Sequence, residues 1–168
     1  GVLTNAQLLI RNGKVENVGG FTAAPGADVI QFDAQGRHVT PGLIDCHSHT
    51  AILGAVNEGT LPSSAMVRID DVVNSEARTL YQQLGGGLTV ANLLHGSANP
   101  IGGQNCIIKL RDGATPEALK FEGAPAGIKF ALGENVKQSN WGEKFNTRFP
   151  QSRTGVRTFY VNRFTAAQ

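Results

Sequence analysis

The 168 residues, 40% of them apolar and 17% charged, have the makeup of a soluble globular protein with enough chain for a core of its own. No run approaches the roughly 20 continuous apolar residues of a membrane helix. A net charge of +2 without a Lys/Arg cluster argues against a nucleic-acid partner. The two cysteines, Cys46 and Cys106, form neither a disulfide framework nor a CxxC site, and each sits in an apolar run that predicts a buried free thiol. There is no charged-then-apolar leader, and the chain enters a strand pattern almost at once, as though it began in mid-element. The compartment stays open.

The first forty residues read as β-structure. Gln7 to Arg11 and Lys14 to Val18 flank Asn12-Gly13, a strong hairpin signal because both turn positions need positive φ. A strand is expected over Ala27 to Phe32, a turn at Asp33 to Gly36, and another strand over Arg37 to Thr40. Pro41-Gly42 then changes the character of the chain. Leu43 to His47 reads as a short apolar strand. The apolar positions Ala77, Leu80, Tyr81 and Leu84 predict a helix over Asn74 to Leu84, with Asn74 as its N-cap and Gly85-Gly86-Gly87 as its stop. Leu88 to Leu94 reads as a strand buried on both faces, as in a parallel sheet. Asn105 to Leu110 and Gly127 to Leu132 predict two more strands. After a polar loop around Trp141 to Arg153, a final helix starts near Thr154 and aligns Val156, Phe159, Tyr160 and Phe164.

The chemistry is concentrated in Asp45-Cys46-His47-Ser48-His49. Residues two apart in a strand share a face, so Asp45, His47 and His49 project together with Leu43, while Ile44 and Cys46 are expected in apolar packing opposite. Two imidazoles at one strand end can both reach a divalent ion, with neutral nitrogens binding Zn²⁺ at about 2.0–2.1 Å. Asp45, one step deeper, is placed to orient a ligand.

A β-rich opening, then Pro-Gly, then an apolar strand ending in Asp-x-His-x-His resembles the amidohydrolase superfamily, in particular its imidazolonepropionase-like and prolidase-like branch. Leu88-Thr89-Val90-Ala91-Asn92-Leu93 is similar to that family's second barrel strand, with Val90 in place of the second threonine. Asn99 to Asn105, Lys120 to Pro125 and Gly127 to Asn135 extend the likeness over nearly the whole chain. The resemblance implies an α/β fold: part of a (β/α)8 TIM-like barrel over residues 42–168, about four strands of it, preceded by part of a small β-sandwich domain over residues 1–41. A complete barrel takes about 250 residues. A missing C-terminal half, or self-association that covers exposed edges, is therefore expected.

The resemblance also implies one or two divalent metal ions, zinc above all, held by His47 and His49 and bridged by a carboxylated lysine from the fourth barrel strand. Lys129 lies on that strand with parity opposite to Ile128 and Phe130, and takes a metal-ligand and catalytic role beside Asp45. A lysine ion-paired to Glu134 is the alternative, and Lys109 is a competitor for the position. His95 is either a substrate contact or a loop histidine, and His38 is structural. Gly102-Gly103 lacks P-loop spacing, so a phosphate cradle there is weakly supported. Two further histidines and a late aspartate normally complete such a centre, yet no histidine follows His95 and the last aspartate is Asp112. Two functions follow. One is part of a metal-dependent hydrolase of amide-like C–N bonds in small molecules, inactive as this chain alone. The other is a non-catalytic binding or assembly module on the same fold.

Overall fold

The computed structural model describes residues 1–20, 26 and 28–168. These fall into two compact units, Gly1–Pro41 and Gly42–Gln168.

In the first unit β1 (Gln7–Arg11) and β2 (Lys14–Gly19) pair antiparallel around Asn12 and Gly13, at φ 51° and 72°. These angles are those of the two-residue turn whose twist matches a hairpin. The register pairs Leu8 with Val18 and slips between Leu9 and Ile10. The turn at 33–36 also forms. Asp33 Oδ1 accepts from Gln35 N at 2.8 Å and Ala34 O from Arg37 N at 2.9 Å, with Gln35 and Gly36 at positive φ. The strands expected on either side of it do not. No strand occurs over residues 28–40, and Ala27 lies outside the described residues. Ile30 and Phe32 are 97% and 88% exposed, so β-favouring side chains there lack the ladder and the covering layer that make a strand. Among the described residues this unit is a hairpin and a turn, not a sandwich.

The second unit is mixed α/β. Its strands are β3 (Leu43–Ser48), β4 (Leu88–Leu93), β5 (Ile101–Gln104), β6 (Cys106–Lys109) and β7 (Ile128–Phe130). Its helices are α1 (Arg78–Gly85), α2 (Pro116–Leu119) and α3 (Arg153–Ala166). One sheet runs β3-β4-β6, with β3 and β4 parallel and β6 antiparallel to β4. The other pairs β5 with β7 antiparallel. The parallel pair requires a crossover, which α1 supplies. The core gathers Leu80 of α1, Ala91 and Leu93 of β4, Cys106 and Ile108 of β6, and Leu119 of α2. No helix of the described residues is long and apolar enough to cross a membrane.

Several local expectations shift. The helix starts at Arg78, four residues late, with Ala77 at its N-cap. Asn74 is held elsewhere: its N–H donates to Ala51 O at 2.8 Å and its side chain closes a turn on Glu76 N at 3.1 Å. The glycine stop holds, since Gly86 N and Gly87 N return to the last-turn carbonyls and Gly87 adopts φ 91°. Ile44 and Cys46 are exposed rather than packed, because the described residues lay no layer over that face of β3. Cys106 is buried. Strand β5 was not anticipated, since Gly102 and Gly103 weaken the β pattern. Both glycines are buried in that strand, where a Cβ at Gly102 would sit 2.7 Å from His95 Nδ1 and one at Gly103 2.7 Å from Val67 Cγ2. Close packing, not phosphate binding, explains them.

Candidate metal centre

Strand β3 delivers Asp45 and His47, and His49 follows one residue beyond its end. The ladder to β4 continues past the strand, with Leu94 N donating to Ser48 O at 2.9 Å. This holds His49 at the end of β4, where its Nδ1 donates to Leu94 O at 2.8 Å. A carbonyl only accepts, so Nδ1 carries a hydrogen, and in the neutral ring Nε2 is the nitrogen with the lone pair. The rings of His47 and His49 meet edge to face with centroids 5.2 Å apart. Asp45 Oδ1 accepts the main-chain N–H of His47 at 3.0 Å, fixing the backbone rather than the ring.

Lys129 enters from the other sheet. Its neighbour Phe130 stacks on Phe164 of α3 at 6.2 Å, which turns the lysine to the opposite side of β7. Lys129 Nζ lies 3.3 Å from His47 Nε2. The nearby ammonium, then burial and His49, hold the His47 imidazole below its ordinary pKa, and Asp45 opposes them. Partial burial likewise lowers the Lys129 ammonium.

An asparagine relay joins the two sheets behind these residues. Asn92 Nδ2 donates to Cys46 O at 3.2 Å, and Asn105 Nδ2 donates to Asn92 Oδ1 at 2.7 Å. Asn105 Oδ1 then accepts from Gly127 N at 2.6 Å, while Asn105 N donates to Gly127 O at 3.0 Å. The relay thus runs from the residue before His47 to the residue two before Lys129. Sequence reasoning passed over it. The available signal was Asn92, a carboxamide inside an apolar strand, where a polar group needs a partner.

Comparison with known proteins follows the same lines. No protein-family model matches the chain. It is 44% identical to the imidazolonepropionase of Saccharopolyspora erythraea over 32% of this chain and 14% of that protein. Against the imidazolonepropionase of Klebsiella pneumoniae the identity is 47%, over 33% of this chain and 13% of that one. An amidohydrolase of Hapsidospora irregularis is 33% identical over 74% of this chain and 14% of its own length. The crystal structure of an amidohydrolase from Thermotoga maritima matches 95% of this chain with a TM-score of 0.81 and 34% identity. The chain belongs to the amidohydrolase superfamily. It spans 42% of the Thermotoga structure and 13–14% of the curated relatives it matches here.

Three of the other candidate residues of this amidohydrolase chain, Lys109, Glu134 and His95, have partners of their own. Lys109 places Nζ 4.1 Å over the Phe121 ring. Glu134 is engaged by Lys137 at 2.5 Å and Arg153 at 2.8 Å, so it is not the partner of Lys129. His95 is 1% exposed; its Nδ1 donates to Gly96 O at 2.9 Å and its Nε2 accepts from Glu58 N at 2.7 Å. In this arrangement both nitrogens hold main chain, and the ring positions the loop at Glu58. His38 is exposed in the first unit.

The two imidazole rings lie side by side, and Lys129 Nζ approaches one of them, His47. A neutral imidazole is the chemistry that a divalent ion takes from histidine. Lys129 fits once its nitrogen is uncharged or carboxylated, since an ammonium has no lone pair. Among the described residues no group of three or more His, Cys, Asp or Glu that could hold a metal ion is found.

Proposed function

We propose that His47, His49 and Lys129 form part of the divalent-metal centre, zinc above all, of a hydrolase that cleaves amide-like C–N bonds in small molecules. The observation that carries this reading is the 3.3 Å approach of Lys129 Nζ to His47 Nε2 across 82 positions of sequence. An ammonium held beside a second nitrogen base and partly out of water is disfavoured unless the site has a use for it. The names of the imidazolonepropionase and amidohydrolase relatives support the reaction class. A divalent ion held there would polarise a substrate carbonyl and lower the pKa of water.

The chain's own residues prepare that chemistry. His49 is set in one tautomer by Leu94 O, so its Nε2 presents a fixed lone pair. Asp45 holds the main chain of His47. Lys129, as a carbamate formed with carbon dioxide, presents oxygen donors in place of a positive charge. No histidine follows His95 and no aspartate follows Asp112, so the late histidines and aspartate that the resemblance implies are not among these 168 residues. The chain alone is expected to bind metal weakly and to turn over no substrate.

A second reading keeps the fold without the chemistry. Its support is the same lysine, which as an ammonium fills the space beside His47 where an ion would sit. Metal analysis separates the two. The chain is dialysed against Zn²⁺ with and without bicarbonate, and bound metal is counted by mass spectrometry for the wild type, His49→Ala and Lys129→Ala. Metal retained by the wild type and lost in His49→Ala supports the hydrolase centre. Wild-type metal no higher than in His49→Ala overturns it in favour of the binding module.

A further inference from the structure

Asn12-Gly13 is the sole Asn-Gly step of the chain, and Asn74-Ser75 its sole Asn-Ser step. Such steps are chemically weak points, because a small following residue lets its main-chain nitrogen approach the asparagine carboxamide. Whether that happens in the folded protein depends on what holds the two groups. The structure treats the two asparagines oppositely.

Asn74 is pinned. Its N–H donates to Ala51 O at 2.8 Å, its carbonyl accepts from Ala77 N at 3.4 Å, and its Oδ1 accepts from Glu76 N at 3.1 Å. Turning the carboxamide toward Ser75 N breaks the last of these bonds within a half-buried segment.

Asn12 has no such hold. With Gly13 it is exposed at the tip of the hairpin, at φ 51° and 72°. Among the hydrogen bonds of the described residues none engages the Asn12 carboxamide or the Gly13 N–H, and the pair that closes the turn is Arg11 with Lys14. A Cβ built on Gly13 meets nothing within 4 Å, so the tip has room to rearrange. The strands behind it offer little resistance. They form a two-stranded sheet in which the paired Ile10 and Val15 are 60% and 61% exposed. A two-stranded hairpin is only marginally stable in water.

We propose that Asn12 is a site of self-modification, at which the folded chain converts this asparagine to aspartate or isoaspartate. The Gly13 main-chain nitrogen attacks Asn12 Cγ and forms an N–Cγ bond. The Cγ–Nδ2 bond breaks, and ammonia leaves with the proton that Gly13 gives up. Water then opens the resulting succinimide. Addition at Cγ yields aspartate, and addition at the main-chain carbonyl carbon yields isoaspartate. Either product sets a carboxylate beside Arg11, whose Nε pairs with Glu16 Oε2 at 3.2 Å. Isoaspartate also lengthens the main chain by one carbon, so a two-residue turn no longer closes in the register of Arg11 with Lys14.

The test incubates the whole chain in mildly alkaline buffer, native and in urea, and follows both asparagines by peptide mass mapping. Hydroxylamine, which cleaves a succinimide, marks the intermediate. Asn12 is expected to convert in the native protein within about threefold of its rate in urea, because opening an exposed tip costs close to nothing. Asn74 is expected to slow by about tenfold or more on folding, the effect of a local opening cost of about 1.4 kcal/mol. Hydroxylamine is expected to cut the native wild type after Asn12 and to spare Asn12→Gln, whose longer side chain closes the ring far less readily. Should that variant fail to fold, the native-to-urea ratios of the wild type decide alone. Equal ratios at the two sites, or conversion of Asn12 without a hydroxylamine-sensitive intermediate, would overturn the proposal.

Discussion

Asn105 Nδ2 donates to Asn92 Oδ1 at 2.7 Å, a side-chain bond between strand β4 of the histidine-bearing sheet and the residue that joins β5 to β6. Asn92 reaches the main chain beside His47, and Asn105 grips Gly127 through both its amide nitrogen and its side-chain oxygen.

Replacing Asn92 with alanine leaves the Asn105 carboxamide and Cys46 O without this partner. A part-buried polar group left unpaired costs about 1–3 kcal/mol. Urea denaturation is expected to show a loss of that size. Zinc retention should fall as well, because Lys129 and His47 lose their common reference. A variant with wild-type stability and metal content would show that the relay does not position the site.

Gly102 sits where a methyl group would lie 2.7 Å from His95 Nδ1. Gly102→Ala must therefore move a buried ring that is bonded on both nitrogens. Overpacking of this kind costs about 1–3 kcal/mol. A lower urea midpoint at unchanged slope is the expected readout. An unshifted midpoint would mean that the His95 ring yields freely.

Lys137, then Asn140 and Arg153, hold the Glu134 carboxyl down at about 2, against an ordinary value of 4.5. The unfolded chain therefore takes up its proton at higher pH than the folded one. The contribution is complete above about 4.5, declines as the pH falls, and is gone below about 2. Melting temperatures measured across that window should fall more steeply for the wild type than for Glu134→Gln. Parallel curves would remove Glu134 as an acid-sensitive tie.

The thiols should separate by reagent access. Cys46 is exposed and Cys106 buried, and burial with the adjacent Asp70 pushes the Cys106 thiol up to about 11. A thiolate-specific reagent at pH 8 is expected to modify one cysteine in the native protein and the second only after denaturation. Immediate reaction of both would contradict the packing around Cys106.

The parts legible in sequence were those written in short-range pattern. Asn12-Gly13 declares its hairpin, the triple glycine ends α1, and the alternation in Asp-x-His-x-His puts the two imidazoles on one side. What escaped depends on distant partners. Asn74 carries a helix-start signal, yet Ala51 claims it from another part of the chain. Ile101–Gln104 is a strand because β7 pairs with it, in spite of two glycines. The apolar residues 29–32 have strand propensity and no ladder. The antiparallel partner of β4 was likewise hidden, since an apolar run does not disclose the direction of its neighbour.

The 82-residue separation between His47 and Lys129 bears on how the protein assembles. The two imidazoles come as a local unit with β3, but the lysine must arrive by closing a long loop, which is entropically dearer and slower. The third nitrogen is therefore expected to join the imidazole pair only once β7 has paired with β5. Hydrogen exchange at the amides of Gly127 and Lys129 would time that pairing.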